Sequence, residues 1–243
     1  MHSDVRRAVI DRVAEGRWRA VADGREIGRG DASRRPDGRI FVSVDAWHGD
    51  VFDQLAAAVL AELPRPLHTM VDEVDHDTVE RWERAGMALR RREWLYALPV
   101  GPGHAVPLAG VTLLPVGAAE EEPLRTAWAA LGAEIEATAG WPPPGAPCDP
   151  TRYAVAAGPD GYDGLVRVVT RRRHARIASI AVRAERRRLG IGRALLVDVL
   201  ATLHRAGIDT ASADVDESNT AALALFDSIG GRRMSSGLEL VLR

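Results

Sequence analysis

The residues of this chain best suited to chemistry lie in one short segment, Arg187-Arg-Leu-Gly-Ile-Gly192. A strand-like run over residues 176–182 precedes it, and leucines and a valine at helical spacing follow it over residues 195–203. Glycines at such a junction let backbone N–H groups of a helix N-terminus approach an anion, and arginines add positive charge there. The segment predicts a phosphate-binding loop, although a basic turn with glycines for tight packing would look the same.

Two common phosphate-binding motifs do not fit this segment. The chain contains no lysine, so Gly-x-x-x-x-Gly-Lys-Ser/Thr is absent. Gly190-x-Gly192 is followed by Leu195 where the dinucleotide fingerprint needs a third glycine. The absence of lysine also excludes a catalytic lysine and acylation of a lysine of the chain itself.

The residues downstream narrow the interpretation. Residues 210–216 predict a short strand, and a helix with an apolar face then runs to a stop at Gly230-Gly231. This order resembles the GNAT superfamily of acyl-CoA-dependent N-acyltransferases. The resemblance covers roughly residues 110–243 and rests on Ile180-Ala-Val182, Arg187-x-x-Gly190-x-Gly192, and Val215-x-x-x-Asn219 with Phe226 and Gly230.

The resemblance implies that acetyl-CoA, or another short acyl-CoA, binds as the co-substrate. It also implies that no metal takes part. In the family the glycine loop holds the CoA pyrophosphate through backbone N–H groups, and the preceding strand pairs with the pantetheine arm. The implied CoA-binding residues are Ile180, Ala181, Val182, Arg187, Arg188, Leu189, Gly190, Ile191, Gly192, Arg193, Asn219 and Phe226. The basic turn at 171–174 is a further candidate for the CoA 3′-phosphate, or simply a solvated run.

No catalytic residue is assigned from the sequence. Many relatives carry a tyrosine at the position of Phe226, whose hydroxyl protonates the departing sulfur, and some carry a glutamate where this chain has Ser179. Phenylalanine has no proton to give, so the thiolate leaves unassisted, another group substitutes, or catalysis is weak. Asp216 and Glu217 are candidate bases, but Asp72 and Glu73 repeat them in the first half, which favours a structural role.

The first half of the chain repeats the second. Residues 71–73 and 215–217 are both Val-Asp-Glu, 144 positions apart, and the same offset pairs Asp75 with Asn219, Trp82 with Phe226 and Gly86 with Gly230. We therefore expect an α/β (α+β) fold of two GNAT-like lobes, each a mixed, mostly antiparallel central sheet flanked by helices. The expected domains are 1–99, a degenerate lobe without a CoA loop, and 105–243, the acyltransferase domain.

The first lobe is expected not to bind CoA. Its counterpart of the glycine loop is Trp47-His-Gly-Asp-Val-Phe-Asp53, with two aspartates and no arginine. Carboxylates at a helix start compete with a pyrophosphate for the same dipole and N–H groups. We expect the first lobe to pack against the second and to shape the side on which the acceptor binds.

Other segments predict ordinary elements. Residues 4–15 predict a short helix, 52–63 a helix ended by Pro64, 75–85 a helix and 120–137 a helix. The proline-rich stretch 140–149 falls near the family's acceptor-binding loop. Trp141 is equally consistent with lining the acceptor pocket and with covering the core, and Cys148 is a bystander.

Composition excludes several classes of function. The net charge of −2 shows no bias toward nucleic acid or anionic membranes. A single cysteine and the absence of an apolar signal region predict a cytoplasmic location. We therefore predict a monomeric or homodimeric acyltransferase acting on a small-molecule or peptide amine, with a CoA-binding sensor without turnover, or transfer to an O- or S-acceptor, as the alternatives.

Overall fold

The computed structural model describes residues 8–35, 37–139 and 149–243, with side chains described for all of these except 136–139. The described strands are β1 (Val9–Ala14), β2 (Arg17–Ala22), β3 (Arg25–Arg34), β4 (Ile40–Ala46), β5 (Leu67–Asp72), β6 (Ala88–Leu98), β7 (Thr112–Leu114), β8 (Tyr153–Gly158), β9 (Gly161–Arg171), β10 (His174–Val182), β11 (Thr210–Asp216) and β12 (Arg232–Leu242). The described helices are α1 (Gly49–Glu62), α2 (His76–Arg84), α3 (Glu121–Ala139), α4 (Ile191–Arg205) and α5 (Thr220–Ser228), with short 3-10 turns at Pro150–Arg152 and Ala184–Arg186.

The chain forms two compact units whose boundaries fall inside β6 and β12. The first unit contains the residues up to Glu93 together with Ser236–Arg243, and the second contains Trp94–Ser235. The C-terminal strand therefore completes the sheet of the first unit, while the end of β6 belongs to the second. As functional domains, the boundaries 1–99 and 105–243 stay a prediction.

The first unit is a mixed sheet with α1 packed on one face. Its strands follow the order β1-β2-β3-β4-β5-β12 and then the first part of β6. β4 and β5 are parallel, and the other pairs with a described register are antiparallel. The apolar core lies between α1 and this face and includes Trp18, Leu55, Leu67 and Leu240.

The second unit has the same plan with helices on both faces. Its sheet runs from the end of β6 through β11-β10-β9-β8 to β7, and β10 and β11 are the parallel pair. One face packs against α4 and α5 through residues such as Val166, Leu196 and Phe226. The other packs against α3 around Leu124, Leu131 and Leu165. The mixed, mostly antiparallel α/β fold predicted from the sequence is thus observed.

The internal repeat is visible in the backbone. α2 and α5 span equivalent residues at the offset of 144, and so do β6 and β12. Asp75 caps α2 by accepting a hydrogen bond from Thr78 N at 3.2 Å, and Asn219 caps α5 by accepting one from Ala222 N at 3.0 Å. Such caps satisfy N–H groups that a helix start leaves without partners.

Three of the described strands, β1, β3 and β12, differ from what the sequence pattern predicted. The helix predicted over residues 4–15 is wrong for the described part, because Val9–Ala14 forms β1, paired antiparallel with β2. β3 and β12 are strands that the sequence pattern did not predict. In each case the stabilising partner is another strand, which local periodicity does not reveal. Across the described residues, none of the helices combines the length and apolar character that crossing a bilayer requires.

Candidate acyl-CoA site

The parallel strands β10 and β11 separate partway along their length. Their pairing extends only from His174 opposite Thr210 to Arg176 opposite Ser212, whereas β10 continues to Val182. On its other edge β10 stays paired with β9 as far as Val182 opposite Gly164. The stretch around residues 180–182 therefore has backbone groups on the β11 side that an extended ligand could pair with.

The glycine loop leads directly from this gap into α4. Gly190 is the N-cap residue of α4 and has φ 83°, a left-handed conformation that glycine adopts without steric cost. No side chain caps this helix, in contrast to α2 and α5. The first N–H groups of an α-helix have no intrahelical partner, so this terminus can donate to an anion.

Gly192 is favoured by close packing rather than by its backbone angle. A Cβ on this residue would lie 3.3 Å from Leu225 Cδ2 and 3.6 Å from Val182 Cγ2. The first turn of α4 is therefore pressed against the end of β10 and the side of α5. This packing brings the helix N-terminus to the mouth of the gap between β10 and β11.

The three arginines of the segment do different work. Arg187 donates from Nε to Val182 O at 3.0 Å and from Nη2 to Glu134 at 3.4 Å, so it braces the turn. Arg193 donates from Nη2 to Ser228 O, at the end of α5, at 3.4 Å. Arg188 is exposed, has φ 64°, and makes no ion pair with the side chains that the structure describes. Arg188 is therefore a cation that is available to a phosphate.

Glu134 on α3 ties the turn before the glycine loop to the opposite face of the sheet. It accepts from Arg183 Nε at 2.9 Å and from Ala184 N at 2.8 Å, and it also receives Arg187. The hydrogen bond that Arg183 donates to Glu134 raises the pKa of Arg183. This residue was missed by the sequence reasoning, and an acidic residue late in a helix gives no signal of such a role.

Two of the predicted CoA-binding residues, Asn219 and Phe226, make contacts within the protein. The side-chain oxygen of Asn219 is used as the cap of α5. Phe226 is 3% exposed and packs against Tyr96 in a tilted arrangement, with ring centroids 5.6 Å apart. The Tyr96 hydroxyl donates to Asp227 Oδ1 at 2.8 Å and accepts from Arg233 Nε at 2.8 Å, and burial raises the pKa of Tyr96.

The candidate base Asp216 has a structural role. Its carboxylate accepts from Ser218 N at 2.8 Å, and in the first unit Asp72 accepts in the same way from Val74 N at 3.3 Å. These are matching turns that lead each strand into its capped helix. Glu73 in the first unit accepts from Arg92 and from Ser236, each at 2.5 Å. Asp72, Glu73 and Asp216 are therefore each engaged by contacts within the protein.

The corresponding helix start in the first unit is covered. The guanidinium of Arg81, on α2, occupies the space where a Cβ of Gly49 would lie, at the first residue of α1. Its Nη1 donates to Asp53 at 3.1 and 3.0 Å. In the repeat, Arg81 corresponds to Leu225, so a charged residue stands where the second unit has an apolar one.

Some predicted features cannot be placed. Trp141 and Cys148 lie outside the described residues. At the basic turn, Arg173 pairs with Asp209 at 2.5 Å, and both ring nitrogens of His174 lie 2.9 Å from the hydroxyls of Thr210 and Ser212. Among the described residues, no cluster of histidine, cysteine and acidic side chains is arranged to hold a metal ion.

Comparison with known families places this site in a recognised domain. Residues 147–230 match the model of the Acetyltransferase (GNAT) family. The matched stretch contains the gap between β10 and β11, the glycine loop, Asn219 and Phe226. Residues 147–230 therefore form a GNAT-family domain, in agreement with the resemblance seen in the sequence.

Individual relatives extend the likeness. The mycothiol acetyltransferase of Thermobispora bispora is 41% identical over 81 residues, which is 33% of this chain and 24% of that protein, so about a quarter of that relative is matched. A GCN5-related N-acetyltransferase structure from Sphaerobacter thermophilus has a TM-score of 0.75 at 18% identity, covering 96% of this chain and 82% of its own. A tandem GNAT protein from the clavulanic acid pathway has a TM-score of 0.64 at 16% identity, covering 97% and 83%. The GNAT-like fold therefore extends over both units.

Proposed function

We propose that the second unit binds acyl-CoA, with acetyl-CoA as the expected form, and transfers the acyl group to an amine by direct attack in a ternary complex. The acceptor is a small-molecule or peptide amine. In this proposal the protein acts in the cytoplasm, as a monomer or homodimer. It rests on the family of residues 147–230 and on the geometry of β10, β11 and α4.

The single observation that carries the proposal is the gap between β10 and β11, which opens beside the uncapped start of α4. A ligand with an extended, amide-containing arm and an anionic group at one end matches this arrangement. Backbone groups near Ala181 would pair with the arm, and N–H groups of Ile191, Gly192 and Arg193 would meet the pyrophosphate. Arg188 is placed to add a charge-assisted contact.

When bound, acyl-CoA supplies its acyl group as a thioester, which an amine takes up as an amide while the CoA thiol is released. The chain contributes positioning, because β10, α4 and α5 are packed together around Gly192. An N–H on the free edge of β10 can stabilise negative charge on the acyl oxygen. Orientation of two reactants in one site can lower a barrier by several kcal/mol, up to about 7–11 in well-oriented cases.

Proton transfer at this site has no side chain assigned to it. Alkylamines have pKa values of about 10, so the amine must lose a proton to water or to a base before it attacks. A thiol pKa of about 8.5 lets the CoA sulfur leave as a thiolate without an acid at the position of Phe226. Catalysis therefore depends chiefly on positioning and on backbone donors.

Release of CoA thiol from acetyl-CoA across a panel of primary amines tests the function. We expect amine-dependent thiol release in the wild type and its loss in Gly190→Glu. Thiol release that does not depend on an amine, or that survives Gly190→Glu unchanged, would contradict the proposal.

A CoA-binding sensor without turnover is the second candidate. The observation that favours it is the buried Phe226 ring in the place of the family's tyrosine, packed on Tyr96. Tight CoA binding with no thiol release for any amine would support the sensor over the enzyme.

A further inference from the structure

Three side chains form a row across β8, β9 and β10 in the second unit. The strand register places Tyr153 opposite Arg167, and Arg167 opposite Ser179. Alternate residues of a strand face opposite sides of the sheet. Leu165 packs against α3, whereas Val166 packs on the α4 side, so Arg167 lies on the face that carries α3.

A bulge in β10 brings Ser179 onto this face. The register of β10 with β9 shifts between Ile177 and Ser179, so that Ile177 packs on the α4 side and Ser179 lies on the α3 side. A bulge inserts one extra residue and changes which side chains point to a face. Here it aligns Ser179 with Arg167 beside the point where β10 leaves β11.

Arg167 carries a charge without a counter-ion among the described side chains. It is partly buried, and its Nε is fully buried with no hydrogen-bond partner. Carboxylates on neighbouring elements are held by other arginines, in the pairs Arg183–Glu134, Arg186–Asp163 and Arg176–Asp214. A buried donor without a partner costs free energy, and such groups generally have a functional or structural explanation.

The α4 face of β10 is occupied by packed apolar side chains around Gly192. Ile180, Val182 and Leu225 close around Gly192 there, with Leu225 Cδ2 3.3 Å from the ideal Cβ position of that glycine. An acceptor would therefore reach a thioester lying along the end of β10 from the other face. That face carries Ser179 and Arg167.

We propose that the acceptor carries a carboxylate as well as an amine, and that Arg167 binds this carboxylate. The inference rests on the proposed function and names its substrate class: amino acids or peptides with a free carboxyl group. The guanidinium fork matches a carboxylate in a bidentate pair. Neighbouring strands lie about 4.8 Å apart, so an arginine one strand from β10 suits an amine and a carboxylate separated by a few bonds.

The test compares common L-amino acids and β-alanine with their amides as acceptors, at saturating acetyl-CoA, by thiol release. In the wild type we expect kcat/KM for a carboxylate to exceed that of its amide by about tenfold or more, which is the range of a hydrogen bond to a charged group. Arg167→Gln should remove this preference mainly through KM, and Arg167→Lys should retain part of it. Arg176→Gln, which breaks a pair on the adjacent strand, is the matched control and should leave the preference unchanged.

A binding measurement separates this inference from the transferase proposal. Thermal shift and calorimetry with N-acetylated amino acids, in the presence of CoA, report carboxylate binding without turnover. Binding that is present in the wild type and lost in a folded Arg167→Gln supports the assignment even if no amine is acylated. The assignment would be overturned if the wild type did not discriminate between carboxylate and amide, or if the preference survived both Arg167→Gln and Arg167→Lys. It would also be overturned if the wild type showed neither binding nor turnover.

Discussion

The guanidinium of Arg81 lies over Gly49 and leaves no room for a Cβ atom at the first residue of α1. Its two hydrogen bonds to Asp53 neutralise the cation and hold it there. A pyrophosphate could reach the start of α1 only by breaking this pair. The two lobes thus share helix caps and turns at an offset of 144 residues but differ at the point where one of them would meet an anion.

The first prediction concerns the glycine loop. Gly190→Glu should lower CoA affinity by about tenfold or more, because the carboxylate competes with the pyrophosphate for the start of α4. Gly207→Glu is the matched control, since Gly207 has φ 74°, no heavy atom within 4 Å of an ideal Cβ, and a place at the other end of the same helix. Both variants carry a strain of about 1–2 kcal/mol from a left-handed residue, so only the ligand effect differs.

Calorimetric titration with CoA, together with circular dichroism, measures this difference. Equal affinities for Gly190→Glu and Gly207→Glu would mean that the loop is only a turn.

The second prediction concerns the brace between α3 and the loop. Glu134→Gln should weaken CoA binding by about three- to tenfold, because Arg183, Ala184 and Arg187 lose a charged acceptor and the turn loosens. Glu122→Gln, at the exposed start of the same helix, breaks only a pair with Arg125 and should leave CoA affinity within about twofold. Equal CoA affinities of Glu134→Gln and Glu122→Gln would show that the contacts of Glu134 do not support the CoA site.

The third prediction concerns the missing acid. Phe226→Tyr should raise kcat by about tenfold if sulfur protonation limits turnover, and should leave CoA affinity unchanged, because the proton matters only as the C–S bond breaks. Tyr96→Phe is the comparison, since its hydroxyl is held by Asp227 and Arg233 in the same cluster. We expect Tyr96→Phe to lower the melting temperature without changing kcat. A fall in kcat for Tyr96→Phe would instead identify Tyr96 as a contributor to the reaction.

The fourth prediction concerns the stability of the first unit. Glu239 is fully buried and receives Arg39 at 2.9 Å, Arg91 at 2.5 Å and His68 at 2.8 Å. Burial by itself raises the pKa of Glu239, but Arg91 and the other guanidiniums lower it further than burial raises it. Glu239→Ala should cost about 3–5 kcal/mol in urea unfolding, because it leaves the partly buried guanidiniums of Arg39 and Arg91 without their carboxylate partner.

Glu62→Ala is the control for Glu239→Ala. Its carboxylate forms an exposed pair with Arg12 at 3.3 Å, with 41% of the Glu62 side chain exposed. Loss of such a pair should cost about 1 kcal/mol or less. Similar unfolding free energies for the two variants would show that the buried network does not stabilise the unit.

Features set by local chemistry could be predicted from the sequence. The helix starts at Asp75 and Asn219, and the glycine ends of α2 and α5, depend on residues a few positions apart. The same holds for Gly190, because strand, loop and helix follow one another directly. The 144-residue offset followed from these short signals.

Features set by distant partners could not be predicted. β12 pairs with β5 across more than half of the chain, with Leu242 opposite Leu67. Glu134 reaches its arginines from another face of the sheet, and nothing in its neighbourhood marks it. Arg81 was within reach of prediction, since the repeat sets it against Leu225, but its position over Gly49 needed the packing of α2 on α1.

The stoichiometry of CoA binding to the full chain tests the central claim most directly. Calorimetric titration of the wild type should give one CoA per chain, bound at the start of α4, and Gly190→Glu should show binding weakened by about tenfold or more with no second site emerging. Arg81→Ala should leave the wild-type stoichiometry at one, because Asp50 in the first turn of α1 and Asp53 at its fifth residue still add negative charge near the helix start. Two CoA molecules per wild-type chain, or one that persists at full affinity in Gly190→Glu, would contradict the claim that only the second lobe carries the site.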